Sequence, residues 1–221
     1  MEQYSPPRQN PSLPGPSPVL PIAPHHRPPR DGLKSILTTV LILLIAPVLA
    51  LSITAFIFQS YEVEGPSMEP TLETQDRLII WKAGRTWSRL TKDEYIPQRG
   101  SVIVFVKRGL FDFSTDKEKQ LIKRIIGLPG DRIVVDNGEI KIFNSENRNG
   151  FNPDKTLDYG ADIKEPTEGN VDITVGAGEI FVMGDNRDNS LDSRSFGTVP
   201  VIDIVGTLSS RILPISDVKK F

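Results

Sequence analysis

The chain contains no cysteine. Disulfide frameworks, thiol nucleophiles and thiolate metal sites are excluded with it. Histidine is nearly as scarce: the only two, His25 and His26, stand side by side in a proline-rich stretch. A histidine metal site is hard to build from such a pair. A Ser-His-Asp triad would need that stretch to fold over the active site. Any hydrolase here needs a different base. A large excess of either charge is also missing, since 26 basic and 28 acidic residues leave a net charge of −2. There is no basic patch interleaved with aromatics and no Gly-rich phosphate loop, which speaks against partners made of nucleic acid. The length of 221 residues suits one domain plus extras, at roughly 150 residues per domain.

Proline and apolar residues are concentrated at the start. Residues 1–30 hold ten of the nineteen prolines. A segment of that composition cannot bury a core, so residues 1–32 are expected to form an extended or disordered tail. From Ser35 to Tyr61 there is no charged residue, and most positions from Ile36 to Phe58 are aliphatic or Phe. About 23 residues at a rise of 1.5 Å give roughly 35 Å, enough to cross a bilayer core of about 30 Å. A single transmembrane helix is expected over 33–59, with Pro47 tolerated as a kink. A cleaved signal peptide would carry a shorter apolar stretch, typically about 7–15 residues. Arg30 and Lys34 precede the helix, and Glu62 and Glu64 follow it. The positive-inside rule then puts the N-terminus in the cytoplasm and residues 60–221 on the far side. That outer part keeps 22 of the basic and 26 of the acidic residues, a net charge of −4.

The outer part reads as mostly β. Arg77–Trp81 and Ser101–Lys107 are short β-branched runs bounded by turn residues. Ile133–Phe143 alternates apolar and polar residues around Asn137-Gly138, which supply the positive φ angles of a type I′ hairpin turn. Glu179–Met183 and Val205–Ile212 complete the strands. Residues 144–178 are polar and read as a small insertion or long loop. No long amphipathic helix is apparent.

Three segments carry chemistry. In Gly65-Pro66-Ser67-Met68-Glu69-Pro70-Thr71-Leu72 a serine stands on a backbone stiffened by two prolines. A Pro-Ser turn leaving a membrane would look the same. In Gln120–Asp131 a strand would set Lys123 and Arg124 on opposite faces, each among aliphatics. Desolvation disfavours the charged form of a lysine, and a neutral lysine can take a proton from a serine. An edge strand with snorkelling cations is the alternative. Gly184–Gly197 is dense in Asp, Asn, Ser and Arg and reads as a loop locked by hydrogen bonds and ion pairs. It lacks the Gly and Glu of a calcium loop at the required places. Ser114-Thr-Asp-Lys117 has the Ser-x-x-Lys spacing of penicillin-binding enzymes without their accompanying motifs.

Taken together, Gly-Pro-Ser-Met-Glu-Pro-Thr-Leu, Lys-Arg-Ile-Ile-Gly-Leu-Pro-Gly-Asp and Gly-Asp-Asn-Arg-Asp-Asn-Ser-x-Asp-Ser-Arg-x-x-Gly resemble the bacterial type I signal peptidases, in that family's order. The resemblance implies a mainly β, antiparallel-sheet catalytic domain with a small insertion, roughly residues 136–178, on one N-terminal transmembrane helix. It implies a serine endopeptidase that removes signal peptides from exported preproteins at the inner (plasma) membrane, beside the protein-export translocase and in contact with lipid, without a cofactor. By the same resemblance Ser67 is the nucleophile and Lys123 the general base. Ser190 is expected to hydrogen-bond and orient the lysine. Asp192 with Arg194 is expected to brace the site as an ion pair, with Asp185 and Arg124 nearby. Val63, Met68, Leu72, Leu78 and Ile122 match positions lining pockets for small side chains at substrate positions −1 and −3. The backbone N–H of Ser67 is one oxyanion donor; the place where some members carry a second, a serine hydroxyl, is Gly65 here. Trp81, Trp87, Phe111 and Phe113 are candidates either for an apolar surface dipping into the membrane or for core packing. Two other classes fit less of the chain. A membrane-anchored binding module would not need Ser67 and Lys123. The self-cleaving repressors share a Ser-Lys pair but carry a DNA-binding module, and no recognition helix is present here.

Overall fold

A computed structural model describes residues 32–112 and 117–221. Most of the proline-rich tail, with His25 and His26, lies outside the described residues, as do Phe113 and the Ser114–Asp116 part of the Ser-x-x-Lys spacing. The apolar run is helix α1, Gly32–Phe56, with Pro47 inside it. Its 25 residues extend roughly 37 Å. From Lys34 to Phe56 it is long and apolar enough to cross a membrane, by length and composition.

The remaining strands confirm the mainly antiparallel reading. β1 (Phe58–Glu62) and β2 (Arg77–Trp81) pair antiparallel, and the short helix α2 (Ala83–Thr91) follows. α2 was not evident in the sequence, because its nine residues are too few to show a sustained period. β3 (Val102–Asp112) and β4 (Lys117–Gly127) form a long antiparallel pair. β5 (Arg132–Asp136) and β6 (Glu139–Phe143) form the expected hairpin. Asn137 and Gly138 turn it at φ of 50° and 77°, the left-handed angles that suit the twist of the flanking strands.

The polar stretch after β6 is more ordered than a loop. It contains α3 (Pro153–Thr156), capped by the Asn152 side chain accepting from Asp154 N–H, and β7 (Val171–Thr174). β7 joins β5 and β6 in a separate three-stranded sheet. β8 (Glu179–Met183), α4 (Ser193–Phe196), β9 (Val199–Pro200), β10 (Ile204–Leu213) and β11 (Lys219–Lys220) complete the chain. The larger sheet runs β1-β2-β10-β3-β4-β8-β9, with β11 against β10.

Three apolar clusters hold these sheets. One joins Val63, Met68 and Leu72 to Leu78, Ile80 and Val104. The second packs the small sheet, through Ile133, Ile140 and Ile142, against Ile126 and Phe181. The third centres on Ile103, Phe105, Ile125 and Val182. β4 pairs with β3 along one edge and β8 along the other. It is therefore an interior strand, not the solvated edge that its two cations alone would allow.

Candidate active site

Three chain segments far apart in sequence meet here. The first is the turn after β1. Glu69 N–H donates to Pro66 O at 3.0 Å, and Leu72 N–H donates to Met68 O at 2.9 Å. This tight turn sinks Met68 and Leu72 into the core and leaves Ser67 half-buried at the surface. Burying two large aliphatics anchors the turn by about 1.5–3 kcal/mol each.

The second is β4. In its register with β3, Lys123 lies opposite Ile103 and Arg124 opposite Val102. Both cations are buried, at 3% and 5% exposure. Lys123 Nζ donates to Ser67 Oγ at 2.7 Å and to Ile122 O at 2.9 Å. Burial pushes the lysine pKa from 10.5 down to about 8, against the opposing pull of Asp192 and Asp185. Arg124 is fully engaged. Its guanidinium forks onto Asp185 at 2.8 and 2.5 Å, donates to Gly100 O at 2.7 Å, and lies 4.5 Å over the Tyr159 ring.

The third is the loop after β8. Met183 pairs with Arg124 across the ladder, so the chain leaving β8 brings Asp185 to the Arg124 side chain. Asp192 is wholly buried. It receives Arg194 through two bonds of 2.9 Å and Gly184 N–H at 3.0 Å. Gly184 has no room for a side chain: a Cβ there would stand 2.3 Å from both Ser67 O and Ser190 Oγ. Asn186 N–H donates to Ser67 O at 3.2 Å, tying this loop to the serine turn.

Several expected residues sit differently from their anticipated roles. Ser190 Oγ is buried and has no hydrogen-bond partner, so the expected bond to Lys123 is not formed. The lysine satisfies itself on Ser67 and the Ile122 carbonyl instead. Of the five pocket residues, Val63, Met68, Leu72 and Leu78 are buried in one core cluster. Only Ile122, packed against that cluster, keeps partial exposure. The four therefore form the floor beneath the site, because the serine turn is held by burying them. Gly65 has φ of +83° with open space around it. Any side chain there would be strained by the backbone, not by crowding. Trp81 is 39% exposed and packs edge-on against Phe58 at 4.8 Å. Trp87 is 68% exposed and therefore not a core residue.

One part of the site has no sequence signal. Arg187 is buried with its side chain fully covered. Its guanidinium donates to Asp154 Oδ1 at 2.7 Å, also reaches Asp154 Oδ2 and Thr167 Oγ1, and through Nε reaches Gly184 O at 3.1 Å. Arg194 adds bonds to Arg187 O at 2.6 Å and Glu168 O at 2.9 Å. The polar insertion is thus clamped beneath the catalytic-loop candidate by two arginines. Asn152-Pro153-Asp154 marks a helix start, but nothing in it points to a partner 33 residues away.

The family model for signal peptidase, peptidase S26, matches residues 36–213. A protein named signal peptidase I P from Bacillus subtilis subsp. natto is 33% identical over 190 residues, covering 80% of this chain and 89% of that one. A probable signal peptidase I-1 of Synechocystis is 34% identical over 177 residues, covering 79% and 81%. A signal peptidase I of Bacillus caldolyticus is 36% identical over 171 residues, covering 72% and 81%. The chain belongs to the signal peptidase I family of S26 peptidases. That membership supports a peptidase acting on proteins that bear signal peptides.

Proposed function

We infer that this chain is a membrane-anchored serine endopeptidase in which Ser67 is the nucleophile and Lys123 the general base. The observation that carries the reading is the 2.7 Å approach of Lys123 Nζ to Ser67 Oγ on a lysine that burial holds near pKa 8. In its neutral form that amine accepts the serine proton as Oγ bonds to the substrate carbonyl carbon. The resulting ammonium returns the proton to the leaving amine as the C–N bond breaks. Water, deprotonated by the same lysine, then hydrolyses the acyl-enzyme. The Ser67 N–H is the oxyanion donor that the turn offers. Asp185 with Arg124 and Asp192 with Arg194 hold the flanking segments, and Ser190, whose Oγ packs with Ser67 O around Gly184, is the proposed orienting partner of the lysine.

The substrates are signal peptides of exported preproteins, cleaved after small residues at −1 and −3. Ile122 lines the entry to the pocket, and Val63, Met68, Leu72 and Leu78 set its depth from below. Residues 33–59 anchor the chain in the inner membrane with the 1–32 tail in the cytoplasm. Residues 60–221 work on the extracytoplasmic side, beside lipid and the export translocase. No cofactor enters the reaction.

The test is cleavage of a preprotein with Ala at −3 and −1 by the purified full chain in detergent. Cut after the −1 residue by the wild type and absent in Ser67→Ala, it supports the reading. Cleavage that survives in the mutant would remove Ser67 from its role. The pH profile gives a second check. Only neutral Lys123 is a base, so kcat/KM is expected to rise about tenfold per pH unit below about 8 and level off above it. A profile flat from pH 6 to 9, or falling, would contradict a lysine base.

A further inference from the structure

Residues 214–221 lie past the stretch that the family model matches, yet they return to the catalytic domain beside the serine turn. Apolar burial does not bring them back, since Ile215 and Val218 are 81% and 62% exposed. Polar bonds do. β11 pairs with β10, Phe221 N–H donates to Ser209 O at 3.0 Å, and Asp217 grips Arg211. Arg211 Nε donates to Asp217 O at 2.9 Å, and its Nη2 pairs with the Asp217 carboxylate. The Arg211 side chain is buried, whereas that of Asp217 is mostly exposed. An exposed carboxylate thus holds a buried cation.

The remaining donors of Arg211 point to the serine. Nη1 donates to Asp76 Oδ2 at 2.9 Å and to Thr71 O at 3.3 Å. Asp76 closes the serine turn at its far end. The same Oδ2 accepts Glu73 N–H at 2.9 Å, and the Asp76 carbonyl accepts Val63 N–H at 2.9 Å. Thr71, within the turn, is buried, and its Oγ1 receives Arg124 Nη2 at 3.4 Å. Arg124 is the neighbour of Lys123 on β4. The serine turn is therefore pinned at Thr71 both from β10 and from the lysine's own strand. A guanidinium carries its donors in one rigid plane. It holds Thr71 and Asp76 together only while that plane is fixed, and Asp217 fixes it from the strand's far end.

We propose that Arg211 and Asp217 are positioning residues for the nucleophile, with residues 214–221 acting as a strap that holds the Ser67 turn against β4. Both act through Thr71 and Asp76, not on the reacting atoms. The inference rests on the reading of Ser67 as nucleophile and Lys123 as base. A loosened strap widens the spread of Oγ–Nζ separations around 2.7 Å, and proton transfer is steeply sensitive to that geometry. Ile122, at the entry to the pocket, lies on β4 and is not held by the strap. The turnover step should therefore suffer and substrate binding should not.

The test is steady-state cleavage of the preprotein with Ala at −3 and −1 by the full chain in detergent. Turnover is expressed per folded molecule, with the folded fraction read from circular dichroism of the same sample. In Asp217→Ala, Arg211 keeps its pair with Asp76, so the fold survives. The expected result is a kcat lowered about three- to tenfold at unchanged KM, largely restored in Asp217→Glu. Asp172→Ala removes another exposed Arg–Asp pair, on the small sheet, and should leave kcat at the wild-type value. An Asp217→Ala enzyme with wild-type kcat per folded molecule overturns the proposal, even if it melts earlier. A raised KM at wild-type kcat overturns it too, because Asp217 would then act on substrate binding. Ser67→Ala in the same assay separates the two readings. Cleavage that survives in Ser67→Ala defeats the reading of the site, whereas an inactive Ser67→Ala beside a fully active Asp217→Ala defeats only the strap.

Discussion

Lys123→Met is expected to abolish cleavage and, at pH 7, to raise the stability of the fold. The loss of activity follows from removing the proposed base, which lies 2.7 Å from Ser67 Oγ, and kcat/KM should fall by about 10⁴-fold or more. The gain in stability follows from the burial of the same group. A pKa held at about 8 instead of 10.5 means that the folded state disfavours the ammonium by about 3 kcal/mol relative to the unfolded chain. At pH 7 lysine is charged in both states, so the wild type carries that full cost. Between about pH 8 and 10.5 the unfolded chain binds the extra proton, and wild-type stability climbs with pH until the cost is gone. Methionine fills a similar volume without charge. Losing the bonds to Ser67 Oγ and the Ile122 carbonyl returns about 1 kcal/mol each, leaving a net gain of about 1 kcal/mol at pH 7. Denaturant unfolding at pH 7 and pH 10 measures it. The difference between variant and wild type should shrink at the higher pH. Lys123→Arg separates charge from basicity. Arginine keeps a cation but does not release its proton in proteins, so that variant should be as inactive as Lys123→Met. An active Lys123→Arg would refute the base assignment.

Asp154→Ala should be among the most damaging single changes outside the Ser67–Lys123 pair. It leaves the covered Arg187 guanidinium without its carboxylate, and an unpaired buried charge of this kind costs about 3–5 kcal/mol. The melting temperature should drop by roughly 6–20 °C for a chain of this size. Because Arg187 also holds Gly184 O, and Arg194 holds Arg187 O, loosening the clamp should reduce kcat as well. The double variant Asp154→Leu/Arg187→Met removes both charges together and should recover most of the stability. If Asp154→Ala unfolds at the wild-type midpoint, the clamp contributes nothing and the insertion is merely attached.

How much could be read in advance depended on the range of each interaction. Strands β2 and β8 were legible as short apolar runs, and the Asn137-Gly138 hairpin by its alternation and turn angles, because these are local properties. The apolar helix was legible because an uncharged run of that length has few other uses. The short α2 was not, since its nine residues are too few to show a sustained helical period. The polar insertion looked like a loop because its order comes from Arg187, Arg194 and Tyr159, all outside or far along the chain from the residues they hold. The aliphatic neighbours of Lys123 fitted either a desolvated lysine or a snorkelling edge cation, and the sequence alone did not choose between them. The missing Ser190 bond and the burial of four pocket residues were not.

By itself, the sequence determined the chemical options. Without cysteine and with both histidines in the proline-rich N-terminal stretch, a lysine was left as the plausible base, and the family resemblance implied Ser67 as the nucleophile. The motif order placed them in a known family. Only the tertiary structure decided that Lys123 stands 2.7 Å from Ser67 and that its amine is driven toward neutrality. Composition is a property of the residues, but proximity and desolvation are properties of what surrounds them. Sheet register brings β4 under the serine turn, and the apolar clusters around it exclude the water that would otherwise hold the lysine pKa at its ordinary value.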